Sequence, residues 1–352
     1  MKSDTFLPIS VAMATYNGER FIKDQLKSIA SQTLLPIELV ITDDGSSDET
    51  CVIISEFAKI SPFPVRLYLN EKKLGYRDNF IKAAYLCTGD LIAFSDQDDI
   101  WDNDKLKIQH QYFSDPKVAM VSHPYQVMDT EGRCTNIVFP KMKSIKEYSA
   151  ADFNPFFSYY GMTLMFRKEI LPSPECINKR PIDHNTFEHL MSHDQWIPFL
   201  AISSQMVVFL PKALTRYRQH NNNTAGPQPY VTYLDRLLKL AFSQSSENDY
   251  KLYCKLSLSL LERVDSLMSG CQSSTTATYN NVERTIDFYK WLSEKYSLRA
   301  AMYDLTLTRL ERLSLFLKAL FSGAYKKRTK GLFGITGAVK DLINICSIGV
   351  LR

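Results

Sequence analysis

Four apolar residues, Leu91 to Phe94, run directly into Ser95-Asp96-Gln97-Asp98-Asp99, and Ile100-Trp101 follow at once. The pattern is that of a buried strand ending in an acidic loop. In extended chain, side chains two apart share a face, so Asp96 and Asp98 can point one way while Gln97 and Asp99 take the other. Neighbouring carboxylates repel unless a cation stands between them. A hard divalent ion with oxygen ligands fills that role, its shell completed by water and substrate phosphates. On the D-x-D spacing alone, a solvated acidic turn competes with a metal site. Thr15-Tyr16-Asn17-Gly18 and the pair Asp43-Asp44 are two further polar clusters, and His193-Asp194 and Tyr217-Arg218-Gln219-His220 come later. Taken alone, Asp194 reads as a helix N-cap and His220 as a satisfied loop histidine.

The elements that position these residues follow from periodicity. Pro8 to Ala14 reads as a first strand, Glu19 to Ser31 as a helix, Glu38 to Thr42 as a second strand, and Ser47 can cap a helix through Ile60. Val65 to Leu69 is a third strand, Asn79 to Leu86 a helix and Leu91 to Phe94 a fourth strand. Alternating strands and helices with short links give right-handed crossovers on a parallel sheet, whose ligands bind beyond the carboxyl ends of strands. All three early polar clusters fall at such ends. Further on, the alternation loosens: a strand over Val118 to Tyr125, an extended stretch near Met162 to Phe166, a helix opening at His193 with Pro198 at its start, and a strand over Met206 to Leu210. The aromatic run from Asp152 to Tyr160 suits either a core or a sugar face.

Pro227 and Pro229 mark a change of architecture, after which apolar residues recur at helical spacing in Tyr233 to Phe242, Tyr250 to Met268, Tyr279 to Leu292 and Tyr303 to Phe321. This second part has no carboxylate or histidine cluster and reads as a packing or docking module. The expected organisation is a catalytic domain over 1–229, a helical extension over 230–325 and a basic amphipathic helix over 326–352. That last helix carries Leu332, Ile335, Val339, Leu342, Ile343, Cys346 and Val350 directly after Lys326, Lys327, Arg328 and Lys330. It can lie in a lipid headgroup region or pack on the preceding helices.

The chain has 352 residues, 45% apolar and 23% charged, with a net charge of +4, too mild to argue for nucleic acid. Its seven cysteines are scattered and never spaced C-x-x-C, which favours reduced thiols in a cytoplasmic protein. No apolar signal core opens the sequence, and no stretch reaches the roughly 18 apolar residues of a membrane span.

Together, Ser10 to Gly18, Gln32-Thr33, Ile41 to Thr50, Gly75 to Asn79, Gly89-Asp90 and Phe94 to Trp101 resemble the family-2 glycosyltransferases of the GT-A fold. Asp96-Gln97-Asp98-Asp99-Ile100-Trp101, His193-Asp194 and Tyr217 to His220 are most similar to the bacterial polysaccharide branch that includes many rhamnosyltransferases. The resemblance spans roughly residues 8 to 225. It implies an α/β fold with a Rossmann-like mixed sheet flanked by helices, and an inverting enzyme that moves a sugar from a nucleotide-diphosphate donor. The acceptor would be a hydroxyl of a saccharide, lipid-linked and handled at the inner face of the cell membrane. On this resemblance Tyr16 stacks on the base, Thr15 and Asn17 shape its turn, and Asp44 accepts from the base while Asp43 supports it or caps the turn. Asp96 and Gln97 also fall on the donor side, Arg77 approaches the phosphates, Asp98 and His220 hold Mn²⁺ or Mg²⁺, and Asp194 is the catalytic base. The donor expected from the branch is dTDP-rhamnose, with a UDP-hexose as the alternative; a catalytically inactive, membrane-docked scaffold of the same fold is the non-enzymatic alternative. A haloacid-dehalogenase-type phosphatase would place its D-x-D near the N-terminus. A sugar-nucleotide-forming transferase would need a glycine-rich basic loop after the first strand, and a dinucleotide enzyme a G-x-G-x-x-G. None of these patterns is present.

Overall fold

The structure, a computed structural model, describes residues 6–149, 159–183, 186, 188–220, 223, 247–270, 276–325 and 335–347. The sequence-predicted helix over Tyr233 to Phe242, most of the aromatic run from Asp152 and the basic run from Lys326 to Lys330 lie outside these residues. The chain divides into two compact units.

The first unit is built on an eight-stranded mixed sheet. Its elements are β1 (Ile9–Thr15), α1 (Ile22–Ala30), β2 (Glu38–Asp43), α2 (Thr50–Ile60), β3 (Val65–Leu69), α3 (Tyr76–Leu86), β4 (Leu91–Ser95), β5 (Ile100–Trp101) and α4 (Lys105–His110). They continue with β6 (Val118–Ser122), β7 (Tyr125–Met128), β8 (Cys134–Phe139), β9 (Lys146–Tyr148), β10 (Met165–Arg167), α5 (His193–Ser204), β11 (Met206–Phe209) and β12 (Thr215–Arg218). The large sheet runs β3-β2-β1-β4-β10-β6-β11-β9, and β5-β12-β7-β8 form a smaller one. β3, β2, β1 and β4 are parallel, whereas β10 enters antiparallel between β4 and β6. Every residue of β1 and β4 is buried, which is why these strands read as apolar runs rather than alternations.

Three sequence expectations change. The stretch Val118 to Tyr125 is two strands in different sheets, broken at His123-Pro124, because a residue before proline is restricted and proline cannot donate to a ladder. Ser47 does not cap α2, which starts at Thr50. The Ser47 backbone N–H donates instead to Asn17 Oδ1 at 2.9 Å, and Asp48 Oδ1 accepts from Thr50 N at 3.1 Å. Pro198 lies within α5, not at its start.

The inner strands are clamped at their amino ends by Glu38. Its carboxylate accepts from Ser10 Oγ at 2.7 Å, Thr88 N at 2.6 Å, Thr88 Oγ1 at 2.7 Å and Arg66 Nη1 at 2.6 Å. Beside it Gly89 is close-packed: a Cβ there would stand 2.8 Å from Pro8 O and Ser10 N.

The second unit includes α6 (Glu247–Gly270), α7 (Thr276–Met302), α8 (Arg309–Phe321) and α9 (Ile335–Ser347). The sequence-predicted helix over Tyr303 to Phe321 starts only at Arg309, where Thr308 and Glu311 form a reciprocal capping box. Among the described residues, no helix is long and apolar enough to cross a membrane.

Burial pushes the Glu38 carboxyl up, but the bonds from Thr88, Ser10 and Arg66 outweigh it and hold the carboxyl below its ordinary 4.5. A lowered folded value means stability that is present above about pH 4.5 and lost as pH falls through the folded value. Glu38→Gln is therefore expected to cost about 1–3 kcal/mol at neutral pH. In urea melts across pH, the gap to wild type should close in acid. A gap that stays constant with pH would show that the carboxylate charge is not what clamps the strands.

Candidate active site

The carboxyl ends of β1, β2 and β4 are tied together by side-chain bonds to backbone. Asp43 Oδ2 accepts from Thr15 Oγ1 at 2.7 Å and Ser46 Oγ at 2.6 Å, and Asp43 Oδ1 from the N–H groups of Gly45 at 3.1 Å and Ser46 at 2.7 Å. Asp43 thus spends its acceptors on the turn after β2, and the Thr15 hydroxyl is turned inward to it. Asp44 does the corresponding work for the loop after β3, accepting from Asn70 Nδ2 at 2.7 Å, Leu74 N at 2.8 Å and Gly75 N at 2.7 Å. With about four lone-pair sites on a carboxylate, one acceptor direction remains on Asp44. Asn17 adopts a left-handed φ of 48°, which Asn tolerates better than most residues, and its N–H donates to Ser46 Oγ at 2.9 Å.

Gln97 joins this turn to the acidic loop. Its Oε1 accepts from Tyr16 N at 3.0 Å and its Nε2 donates to Tyr16 O at 3.1 Å, so one amide grips both backbone groups of Tyr16. A Cβ at Gly18 would stand 2.4 Å from the held Gln97 Oε1, so glycine is what lets the two loops meet. The backbone of Tyr16 is fixed while its ring stays 43% exposed, with Lys73 Nζ 3.5 Å from the ring centroid. Arg77 sits in the first turn of α3, half-buried, its guanidinium 5.2 Å from the Tyr76 ring.

At the end of β4, oxygen atoms of Asp96, Asp98 and Asp99 lie within 4.8 Å of one another. Burial, then the charges of Asp98 and Asp194, push Asp96 up to about 8. Burial, then Asp98 and Asp96, raise Asp99 well above the carboxylate range. Asp98 Oδ2 is 2.8 Å from Nε2 of His220, whose ring stacks on Phe21 at 4.9 Å. Asp99 Oδ1 accepts from Arg218 N at 3.1 Å, while its buried Oδ2 has no hydrogen-bond partner among the described residues. Crowded oxygen donors, an orphaned carboxylate oxygen and a neighbouring imidazole fit an oxygen-preferring divalent cation.

Arg218 and Lys105 were not singled out by the sequence reading. Arg218 is 2% exposed and donates from Nε to Asp98 O at 2.8 Å, from Nη1 to Thr130 O at 3.0 Å and from Nη2 to Asp24 Oδ2 at 3.3 Å, with its guanidinium 4.7 Å from the Phe21 ring centroid. It fastens the acidic loop to the strand that leads into His220. The available signal was its place in the donor-rich run Tyr217 to His220. Lys105 is fully buried, donates to Met162 O at 2.8 Å and lies 4.0 Å from the Trp101 ring centroid. Burial lowers it to about 7, against the opposing pull of Asp99 and Asp96. A charged residue at the start of a short helix gives no local hint of such burial.

Asp194 stands in the first turn of α5; the N-cap position is Ser192, whose side chain makes no capping bond. The Ser192 hydroxyl donates to Asp194 Oδ1. The preceding His193 stacks on Phe80 at 4.0 Å and fills the space a Cβ on Gly161 would need, 2.3 Å from Nε2, which fixes the start of the helix. The charge of Asp194, at the start of α5, bears on Asp96 at the end of β4.

A mixed sheet with an antiparallel strand beside β4, polar turns at the ends of β1 and β2, and acids at the end of β4 make up a GT-A glycosyltransferase fold. Residues 10–172 match Glycosyl transferase family 2, and the chain belongs to that family. It is 33% identical over 225 residues to the dTDP-rhamnosyl transferase RfbG of Shigella flexneri, covering 61% of this chain and 73% of that protein. It is 30% identical over 133 residues to the UDP-Glc:alpha-D-GlcNAc-diphosphoundecaprenol beta-1,3-glucosyltransferase WfgD of Escherichia coli, covering 38% of this chain and 51% of that one. Among solved structures, S. aureus TarS 1-349 in complex with UDP-GlcNAc superposes with a TM-score of 0.52 at 14% identity, covering 98% of this chain and 93% of that one, a likeness of fold.

Gln97→Leu removes both bonds to Tyr16 at nearly constant volume. Titration calorimetry with dTDP and UDP is expected to give about tenfold weaker binding of whichever nucleotide binds, the equivalent of ~1.4 kcal/mol. Undiminished affinity would free Tyr16 from any dependence on Gln97.

Proposed function

We propose that the protein is an inverting, divalent-cation-dependent glycosyltransferase. It moves a sugar from a nucleoside-diphosphate donor, dTDP-rhamnose first among candidates, to a hydroxyl of a growing surface polysaccharide or lipid-linked oligosaccharide at the inner face of the cell membrane. The observation that carries this reading is the cluster of Asp96, Asp98 and Asp99 oxygens within 4.8 Å of one another, with His220 Nε2 2.8 Å from Asp98 Oδ2. That cluster offers oxygen ligands for a cation on the phosphate side of a donor, and the charge of Asp194 bears on it.

In this reading the exposed Tyr16 ring offers a face for the base, with Lys73 displaced or stacked beyond it. Asp44 keeps one acceptor direction for a base N–H, and Thr15, Asn17 and Gln97 hold the turn rather than touch the donor. Arg77, at the start of α3, lies on the side where the phosphates would rest. Asp98, Asp96 and Asp99 with His220 would hold Mn²⁺ or Mg²⁺. When bound, such an ion supplies charge neutralisation for the departing diphosphate. Asp194 takes the proton from the acceptor hydroxyl as it attacks the anomeric carbon. The Ser192 hydroxyl donates to its Oδ1 and so orients the carboxylate. One base opposite the leaving group gives a single displacement with inversion.

RfbG supports dTDP-rhamnose and WfgD supports a UDP-hexose and a lipid-diphosphate acceptor, so donor identity is the first thing to test. A thermal-shift panel of dTDP-rhamnose, UDP-glucose and UDP-N-acetylglucosamine, with and without Mn²⁺ or Mg²⁺, is expected to raise the melting temperature for one donor. Asp98→Ala should abolish the metal-dependent part of that shift, and equal shifts in mutant and wild type would remove Asp98 from the cation site. Asp194→Asn should keep donor binding while transfer falls by about 10² to 10⁴-fold. Retained transfer would place the base elsewhere.

A further inference from the structure

Helix α1 buries a glutamine among its apolar residues. Gln25 is fully buried, as are Ile22, Leu26 and Ile29 of the same helix. Its Nε2 donates to Asp99 O at 2.8 Å and to Ser28 Oγ at 3.0 Å, and its Oε1 accepts from Ser95 Oγ at 2.6 Å and Trp101 Nε1 at 3.0 Å. These four bonds use both donors and both lone pairs of the amide. Ser28, one turn on, donates to Gln25 O at 2.9 Å and accepts from Trp101 N at 3.1 Å. Ordering a glutamine and stripping its amide of water costs free energy that only a complete set of bonds offsets, so its place in the core is explained by what it holds.

The partners of that amide bracket the acidic loop. Ser95 is the last residue of β4, Asp99 closes the run of acids and Trp101 belongs to β5, so one side chain joins the chain before Asp96 to the chain after Asp98. None of the four bonds is spent on a carboxylate oxygen. Gln25 therefore holds the loop at its two ends, whereas Gln97 and Arg218 hold its middle, through Tyr16 and through Asp98 O. Arg218 in turn reaches Oδ2 of Asp24, the neighbour of Gln25 on α1, at 3.3 Å. An ion needs its ligand oxygens at fixed separations, and groups behind the ligands set those separations. Like charges on a loosely held backbone would move apart. Gln32, just past the end of α1, supplies a contrast. It is buried as well, and its amide donates to Ser28 O at 3.1 Å and Asp102 O at 2.8 Å and accepts from Leu106 N at 3.0 Å. Its grip on the following chain thus lies beyond the acids.

We infer that Gln25 is a positioning residue for the cation site: its amide staples the two ends of the acidic loop and so keeps the oxygens of Asp96, Asp98 and Asp99 within reach of one ion. This role rests on the divalent-cation part of the proposed function. Mn²⁺ alone is titrated into the full chain and followed by loss of the free-ion EPR signal, with the melting temperature measured beside it. Gln25→Met keeps most of the side-chain volume and loses the amide, and it is expected to weaken Mn²⁺ binding about tenfold or more. Gln32→Met removes a comparable set of buried bonds, so it should lower the melting temperature to a similar extent while leaving Mn²⁺ affinity at the wild-type value. Ser95→Ala takes away one bond of the staple and disturbs the core least; a roughly threefold loss of Mn²⁺ affinity is expected, which decides the matter even where Gln25→Met does not fold. Equal Mn²⁺ affinity in wild type and the Gln25 or Ser95 variant would overturn the inference. So would equal losses in Gln25→Met and Gln32→Met, since Gln25 would then serve stability alone. A wild-type chain that binds no Mn²⁺ would remove the cation site itself, and with it any role for Gln25 there.

Discussion

Three carboxylates within four residues have to be held together against their mutual repulsion, and the first unit is organised to do so. Arg218 supplies much of the restraint. It binds the backbone oxygen of Asp98 through its side chain and the carboxylate of Asp99 through its own N–H. The loop is thus fixed from behind, by groups that do not compete for the oxygens facing the pocket. What remains is a set of shifted protonation states: the half-buried Asp96 and the buried Asp99 carboxyls held above their usual range, and the buried Lys105 held below its own. Perturbations of that size, with a stated partner for each, cluster where chemistry is done. A bound divalent ion would relieve the carboxyls by replacing their protons.

The small sheet explains how the restraint reaches the loop. β5 follows the acids immediately and pairs antiparallel with β12, Trp101 opposite Thr215 and Ile100 opposite Arg216. The same strand that closes this ladder ends in Arg218, and two residues on stands His220. One short ladder therefore sets both the clamp and the imidazole against residues of the acidic loop. On the other side, Gln97 carries the position of that loop to Tyr16, and Asn17 carries it on to Ser46 and Ser47. Disturbing any of these loops moves the other two, which is how a pocket assembled from separate strand ends keeps a single geometry.

The helical unit solves a different problem by the same means. A buried ion pair is a weak source of net stability, because desolvation offsets most of the attraction, but it is a strong source of orientation. Arg299 and Asp341, with Tyr303, Tyr325 and Asn344 around them, specify which side of α9 faces inward. An apolar interface of Leu and Ile would tolerate rotation far more readily.

The sequence alone determined the periodicities: parallel βα units, an acidic loop after the fourth strand, and a helical second part. It also singled out Asp96, Asp98, Asp194 and His220, because acid spacing and the combined motifs are local and resemble a known family. Tertiary structure decided which of these meet. Asp98 and His220 are 122 positions apart, and no local rule pairs them. The division of labour between Asp43 and Asp44 was equally hidden, since both are acids at one strand end, and only the loops at residues 45–46 and 70–75 show what each one holds. Arg218 and Lys105 look like ordinary surface cations in sequence, and burial is a property of what surrounds them. The direction faced by α9 was undecided for a related reason. An amphipathic pattern gives two faces but not which lies inside, and here a single buried aspartate outweighs the apolar stripe.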